Sequence, residues 1–194
     1  MKGTVFIDAE NCKSRIRDVF HKKKIKGLDF NTYDLKGLFD EIFEEHQHKY
    51  PRLVYRAKPE RHVDIQKYSE KIIKRYREFG GSLSRQGFEV IKAGVLRADY
   101  RTKDAKRPEY REKGVDIRLA VDMVTMACDG KLDEALLVAS DSDYQPAVKE
   151  LRNRGVKIIY VGFEVNPNRG LIAKTDDRFI IPNKTVLKFA SIKD

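Results

Sequence analysis

The sequence is poor in cysteine and histidine. Only two cysteines, Cys12 and Cys128, and four histidines occur among its 194 residues. None of them has a spacing that suits zinc, and so few cysteines are typical of a reduced, cytoplasmic protein. We expect both thiols to be buried and chemically silent.

Long apolar runs are also missing. No segment approaches the roughly 18–20 consecutive apolar residues that a membrane-spanning helix needs. The first eleven residues, MKGTVFIDAEN, contain one lysine, a short strand-like segment and then acidic residues, a pattern that differs from a secretory signal peptide. The sequence therefore predicts a cytoplasmic protein without a membrane partner.

What the chain has in excess is positive charge. Lys and Arg total 40 against 30 Asp and Glu, which gives a formal net charge of +10. Hydrophobic residues make up 41% and aromatic residues 10%, so the chain can bury a core. The basic excess favours a polyanionic partner, nucleic acid first. Whether the chain forms a homo-oligomer stays open.

Apolar strand-like segments alternate with helical patterns along the chain, without repeats or low-complexity linkers. This alternation predicts one domain over residues 1–194, with an α/β three-layer fold and a mainly parallel central sheet. Strands are expected at 4–7, 53–55, 88–91, 135–139, 156–161 and 178–181. Helices are expected after Asn11 and at 33–47, 63–79, 115–128 and 144–154, with Gly80-Gly81 ending the third.

The segment 97–113, RADYRTKDAKRPEYREK, loses the apolar pattern. Its charges sum to +3, and it has too little apolar content to bury a face, so we expect a flexible basic insert that recruits RNA. The basic residues expected to bind RNA lie in this insert and after the first helix: Arg97, Arg101, Lys103, Lys106, Arg107, Lys22, Lys23 and Lys24.

Four carboxylates are expected to meet at one edge of the sheet. Asp8 ends the first strand, and Asp141 and Asp143 follow the strand at 135–139, so all three belong at the carboxyl edge where open parallel sheets bind ligands. Asp116 lies in the first turn of a helix, on the same face as the apolar Leu119. Carboxylates held close together repel each other, and hard oxygen ligands suit Mg²⁺ or Mn²⁺ rather than zinc.

Each of these residues also has a structural explanation. Asp8 could be a turn residue, and Asn11 and Asp143 could be helix caps. Asp122 lies on a polar helix face, four residues after Arg118, where an ion pair accounts for it. Only Asp116, an acid on a buried face, has a weak structural explanation.

Three stretches of the chain resemble the NYN-domain family of PIN-like metal-dependent ribonucleases. They are VFIDAEN (5–11), KGVDIRLAVDM (113–123) and LVASDSDY (137–144), with further similarity at 151–161, 171–173 and 177–180. The resemblance implies a PIN-like, Rossmann-like sheet and a catalytic set that binds Mg²⁺ or Mn²⁺. Carried onto this sequence, the set is Asp8, Asn11, Asp116, Asp141 and Asp143, with Asp122 as an additional metal ligand.

The expected activity is that of a metal-dependent ribonuclease, an endonuclease in mode, in which a metal-activated water attacks an RNA phosphodiester. Asp8, Asp116 and Asp141 would hold the cations, Asp143 would bind metal or orient a ligated water, and Asn11 would fix the Asp8 loop or contact a phosphate. The main alternative is a catalytically silent RNA-binding or scaffolding protein with the same fold. A third hypothesis is a phosphatase of the haloacid-dehalogenase type, with Glu10 as the second acid.

Overall fold

The computed structural model describes residues 2–44, 50–59, 66–99 and 109–190. Its seven strands are β1 (Gly3–Asp8), β2 (Arg52–Pro59), β3 (Glu89–Asp99), β4 (Glu109–Lys113), β5 (Glu134–Val138), β6 (Lys157–Phe163) and β7 (Asp177–Ile181). Its helices are α1 (Ala9–Lys22), α2 (Leu35–Glu44), α3 (Gln66–Arg85), α4 (Val115–Cys128), α5 (Gln145–Asn153), α6 (Arg169–Ile172) and α7 (Asn183–Lys188). A single 3₁₀ turn, Ser142–Tyr144, precedes α5.

The strands form one sheet in the order β4-β3-β2-β1-β5-β6-β7. All neighbouring pairs are parallel except β3 with β4, which is antiparallel. The strand order reverses at β1, because the chain builds β2 to β4 on one side of β1 and β5 to β7 on the other. The predicted α/β fold with a mainly parallel sheet is confirmed.

Helices cover both faces of the sheet. One apolar cluster joins α1, α2, the end of α3 and α7 to one face, through residues such as Val5 and Ile7. A second cluster joins α4, α5 and α6 to the other face, through residues such as Phe6 and Leu137. Since β1 and β5 are apolar on both faces, they occupy the centre of a three-layer arrangement. No helix in the described ranges is long and apolar enough to cross a membrane.

Two predictions about the middle of the chain are wrong. Gly80-Gly81 does not end the third helix, because α3 continues to Arg85. The two ends of the segment 97–113, expected to be a flexible insert, belong to the antiparallel strands β3 and β4. Arg97 pairs with Arg111, and Asp99 pairs with Glu109. Residues 100–108, with Arg101, Lys103, Lys106 and Arg107, lie outside the described residues.

The two cysteines also differ. Cys12 is buried as expected, but Cys128 is exposed at the end of α4, so the prediction of a second buried thiol is wrong.

Candidate active site

Asp8 is the last residue of β1, at the carboxyl edge of the sheet where the strand order reverses. Its backbone leaves the strand with φ −77° and ψ 110°, and its side chain caps α1 by accepting a hydrogen bond of 3.0 Å from the Asn11 N–H. The residue is only 4% exposed. The cap predicted for Asn11 therefore belongs to Asp8, and Asn11 lies within the helix.

Two further donors hold the second Asp8 oxygen. Asn11 Nδ2 donates to Oδ2 at 2.7 Å, and the Tyr144 hydroxyl donates to the same oxygen at 2.8 Å. Burial raises the pKa of Asp8, and the nearby Glu10 charge adds to the rise, while the three hydrogen bonds oppose it. Asp8 is thus a fixed, buried carboxyl group whose charge is costly without a compensating cation.

Asn11 joins the ends of β1 and β5. Its Oδ1 accepts hydrogen bonds from both the Ser140 N–H (3.0 Å) and the Ser140 hydroxyl. Asn168 Nδ2 donates to the Ser140 carbonyl at 3.0 Å from the loop before α6. These bonds hold the Asp8 turn and the turn that carries Asp141 in one fixed arrangement.

Asp141 begins the 3₁₀ turn after β5. Its Oδ1 accepts a hydrogen bond of 3.0 Å from the Asp143 N–H, so Asp141 is the capping residue. Its other oxygen accepts no hydrogen bond from the residues that the structure describes. Asp143 is exposed on the same turn, and its predicted role as a helix cap is wrong, because Tyr144 takes the N-cap position of α5 and Asp141 that of the 3₁₀ turn.

Asp116 lies at the start of α4, which follows the edge strand β4. Gly114, with φ +81°, turns the chain from β4 into α4, and Asp116 follows in the first helical turn. Leu119 and Met123 of the same helix are fully buried, so the predicted helix face is confirmed. Among the described residues, Asp116 makes no hydrogen bond or ion pair.

The buried hydroxyl of Tyr144 shows that these carboxylates share one neighbourhood. Burial raises its pKa, and the charges of Asp8, Asp116 and Asp141 raise it further, in that order. Three acids from separate parts of the chain therefore act on one side chain at the edge of the sheet. The sequence pattern did not identify Tyr144 as a site residue, although it follows Asp143 in the motif 137–144.

Asp122 is engaged elsewhere. Its carboxylate accepts a hydrogen bond of 2.7 Å from Arg118 Nε and one of 3.1 Å from the Tyr55 hydroxyl. The ion pair with Arg118 was the structural explanation that the helix spacing offered, and it is confirmed. The structure does not bring Asp122 into the group around Tyr144.

The donor chemistry around Tyr144 suits a hard divalent cation, because its candidate ligands are carboxylate oxygens. The nearby Cys12 thiol is no competitor, since burial raises its pKa to about 12. In the ranges 2–44, 50–59, 66–99 and 109–190, however, no three His, Cys, Asp or Glu side chains approach closely enough to form a metal-binding group. The ligand set predicted from the sequence therefore stays a prediction.

A second polar cluster lies beside Asp8 and contains Glu112 of β4. Glu112 Oε1 accepts hydrogen bonds from the Ala57 N–H (3.2 Å) and from the Tyr76 hydroxyl (3.3 Å). Burial first, and then the charges of Glu10 and Asp8, raise the pKa of Glu112 to about 7. Glu112 is half-buried, and the sequence pattern did not indicate this, because the segment 97–113 was expected to be a flexible insert.

The basic residues predicted to bind RNA are not all near this edge. Arg97 is exposed on β3. Lys22, Lys23 and Lys24 lie where α1 ends, and a 14-residue helix places them about 20 Å from Asp8. Helix α1 starts at the carboxyl edge and runs away from it, and the prediction that these lysines bind RNA stays a prediction.

Comparisons with known proteins agree with this architecture. A family model described as the NYN domain matches residues 2–185. An uncharacterized protein of Methanocaldococcus jannaschii is 32% identical over 57 residues, which is 29% of this chain and 24% of that protein's length. A crystal structure of a protein of unknown function from Vibrio parahaemolyticus has a TM-score of 0.59 and 18% identity, covering 92% of this chain and 91% of that one. That likeness concerns the fold alone.

Proposed function

This chain belongs to the NYN-domain family, a family of PIN-like nucleases, and on that premise we propose that it is a metal-dependent ribonuclease that cleaves RNA internally. One observation carries the proposal: hydrogen bonds of Asn11 join the turn of Asp8 to the turn that carries Asp141 at the reversal of strand order, and Asp116 begins its helix at the same sheet edge. Ligand sites of open parallel sheets lie at this position.

The residues divide into ligands and supports. Asp8, Asp116 and Asp141 would hold Mg²⁺ or Mn²⁺, and Asp143 stands beside them on the 3₁₀ turn. Such an ion supplies Lewis-acid chemistry, lowering the pKa of a coordinated water and offsetting charge on a phosphodiester. Asn11 keeps the turns of Asp8 and Asp141 together.

The supporting hydrogen bonds make this edge pre-organised. Asp8 cannot turn away, because the Tyr144 hydroxyl and the Asn11 amide hold one oxygen and the α1 N-terminus holds the other. Asp116, by contrast, has no partner among the described residues, so a cation would meet no competing bond there. Carboxylates that are held in place but keep unpaired oxygens are better suited to binding a cation than to stabilising the fold.

A catalytically silent RNA-binding protein is the second candidate. It is favoured by the lack, in the described part of the chain, of a formed group of three metal ligands. The phosphatase hypothesis has less support, because Glu10 is ion-paired with Lys13 and lies 3.8 Å from Arg17 Nη1. An acid held in this way is poorly suited to proton transfer.

The two candidates are separated by incubating a labelled mixed RNA pool with purified protein in Mn²⁺, Mg²⁺ or EDTA. We expect cleavage with either metal and none in EDTA. Asp116→Asn and Asp141→Asn should abolish cleavage without lowering the melting temperature. Asp129→Asn, at the other end of α4, is the matched control and should cleave normally. RNA binding without turnover in any metal would establish the silent alternative.

A further inference from the structure

Arg56 is a charged residue inside an otherwise buried strand. It is 5% exposed, and its guanidinium lies 4.9 Å from the Tyr76 ring centre and 5.1 Å from that of Phe79. Among the described residues, it donates no side-chain hydrogen bond and makes no ion pair. Burial lowers its pKa, and the charges of Glu112 and Glu10 oppose that shift from a distance, so a protonated guanidinium lies nearly buried without a direct ion pair to any described residue.

The helix opposite Arg56 is shaped around it. A Cβ at Gly80 would lie 2.6 Å from Arg56 Nη1, so a side chain at this position would occupy the space of the guanidinium. Two adjacent glycines within a helix each cost about 1 kcal/mol relative to alanine. At Gly80 this cost accompanies the space that the Arg56 guanidinium occupies.

Arg56 opens into a groove between α3 and strands β2 and β3. The groove is a cavity of about 680 Å³ whose lining includes Lys58, Arg77 and Lys92. Lys92 is the register partner of Arg56 on β3, so both side chains point to the same face of the sheet. Four cations thus line one groove, and the most deeply placed one presents unused donors to it.

The groove reaches the edge of the sheet that carries the candidate active site. Tyr55 pairs in register with Asp8, and Arg56 is the next residue along β2 towards the carboxyl edge. Neighbouring strands lie about 4.8 Å apart. The groove, on the face that α3 covers, and the carboxylates around Tyr144, next to α4 and α5, thus lie at the same carboxyl edge of the sheet.

We propose that the groove lined by Arg56, Lys58, Arg77 and Lys92 binds the phosphate backbone of single-stranded RNA next to the bond that is cut. The guanidinium fork fits two oxygens of one phosphodiester, and the lysines and Arg77 contact its neighbours. A cationic groove beside a cleavage site is the arrangement that holds a single strand without reading its sequence. The inference rests on the proposed function for the place of cleavage, but its test is binding alone.

The test measures fluorescence anisotropy of a labelled 12-nucleotide oligouridine in EDTA, where a metal-dependent enzyme cannot cut it. Arg77→Glu with Lys92→Glu changes two exposed groove residues. Arg178→Glu with Lys184→Glu makes the same change in charge at the opposite edge of the sheet, where both residues are exposed. We expect the groove variant to bind at least about tenfold more weakly and its salt slope to fall by about 1.4, the value for two lost phosphate contacts. The control should stay within about twofold of the wild type.

Arg56→Gln tests the buried guanidinium directly, and circular dichroism checks that the variant folds. It should also weaken binding, and where it fails to fold the exposed pair still decides the matter. Equal losses in groove and control variants, unchanged binding in the groove variant, or no binding by the wild type would each overturn the proposal. Cleavage by the wild type in Mn²⁺ is scored separately, so a protein that binds RNA through the groove but never cuts it refutes only the ribonuclease proposal.

Discussion

Asp8 serves the fold and the candidate site with the same carboxylate. One oxygen caps α1, and the other accepts hydrogen bonds from Asn11 Nδ2 and the Tyr144 hydroxyl. The sequence identified Asp8 because an acid ends an apolar strand. It could not identify the donors, because Tyr144 lies 136 residues away and reaches Asp8 only through the packing of the 3₁₀ turn beside β1.

Substitutions at Asp8 should separate these two roles. Asp8→Asn keeps an acceptor for the α1 cap, so we expect its unfolding free energy to stay within about 1 kcal/mol of the wild type. Its RNA cleavage should fall by more than the roughly 10–100-fold that loss of a supporting residue costs. Asp8→Ala leaves three donors unpaired and should lose about 1–3 kcal/mol for each one that stays buried. Urea unfolding and a cleavage assay check both variants; an Asp8→Ala protein as stable as the wild type would contradict the hydrogen-bond network.

Glu112 makes stability depend on pH. Its pKa rises from 4.5 to about 7 on folding, so between these pH values the folded chain binds the extra proton. The unfolding free energy should therefore fall as pH rises from 4.5 to 7 and change little above that, by an amount on the order of 3 kcal/mol in total. The groups that face Glu112 are Glu10, Asp8 and Lys13, with Tyr76 and Arg56 beside them.

Glu112→Gln should remove this dependence, because the neutral amide keeps an acceptor for the Ala57 N–H. We expect the variant to be more stable than the wild type at pH 8 and similar to it at pH 4.5. Melting temperatures measured across that range provide the check, with Glu150→Gln, an ion-paired surface residue on α5, as control. A parallel pH profile in wild type and Glu112→Gln would show that Glu112 titrates normally.

At the scale of elements, helix α3 shows tertiary packing overriding local helix propensity. Local rules end a helix at Gly80-Gly81, yet α3 continues to Arg85 because Leu83 is buried in the core and Gly80 leaves room for Arg56. A charged residue within the apolar run Leu53 to Ala57 was the available signal for this arrangement. It becomes interpretable only when the opposite helix is known.

The two glycines should respond differently to alanine. Gly81→Ala meets only the end of the Arg85 side chain, at 3.3 Å, so it should stabilise the protein by up to about 1 kcal/mol. Gly80→Ala gains the same propensity but must displace the buried Arg56 guanidinium, so it should be less stable than Gly81→Ala and bind RNA more weakly. Thermal melts and anisotropy titrations of the two variants give the comparison. Equal behaviour in both measurements would contradict the claim that Gly80 makes room for the Arg56 guanidinium.

The hairpin of β3 and β4 shows where composition misleads. Arg97, Arg111 and Lys113 gave this segment a charged pattern without an apolar face, which predicted a loop. The strands form because β3 is anchored to β2 by parallel pairing and β4 then adds at the sheet edge, where charged side chains are common. Edge strands carry little hydrophobic signal, whereas the central strands β1, β5 and β6 were evident from their continuous apolar runs.

At the scale of the whole molecule, a basic protein carries its acidic site at the centre of one sheet edge. The net charge of +10 predicted a polyanionic partner but could not say where the cations would gather. The fold supplies that answer, since register pairing brings Lys92 beside Arg56 and the reversal of strand order brings Asp8 beside Asp141. Both arrangements depend on contacts between distant parts of the chain.

The central claim is that Asp8, Asp116 and Asp141 together form one binding site for a divalent cation. The most direct measurement is Mn²⁺ binding to the RNA-free protein, detected as loss of the electron paramagnetic resonance signal of free Mn²⁺. It compares the wild type, Asp116→Asn and the control Asp129→Asn. We predict saturable binding by the wild type and control, with a gain of about 2.7 kcal/mol in unfolding free energy at a hundredfold excess over the dissociation constant. Asp116→Asn should lose at least tenfold in affinity while staying folded. No saturable binding at millimolar Mn²⁺, or equal binding by Asp116→Asn, would contradict the account.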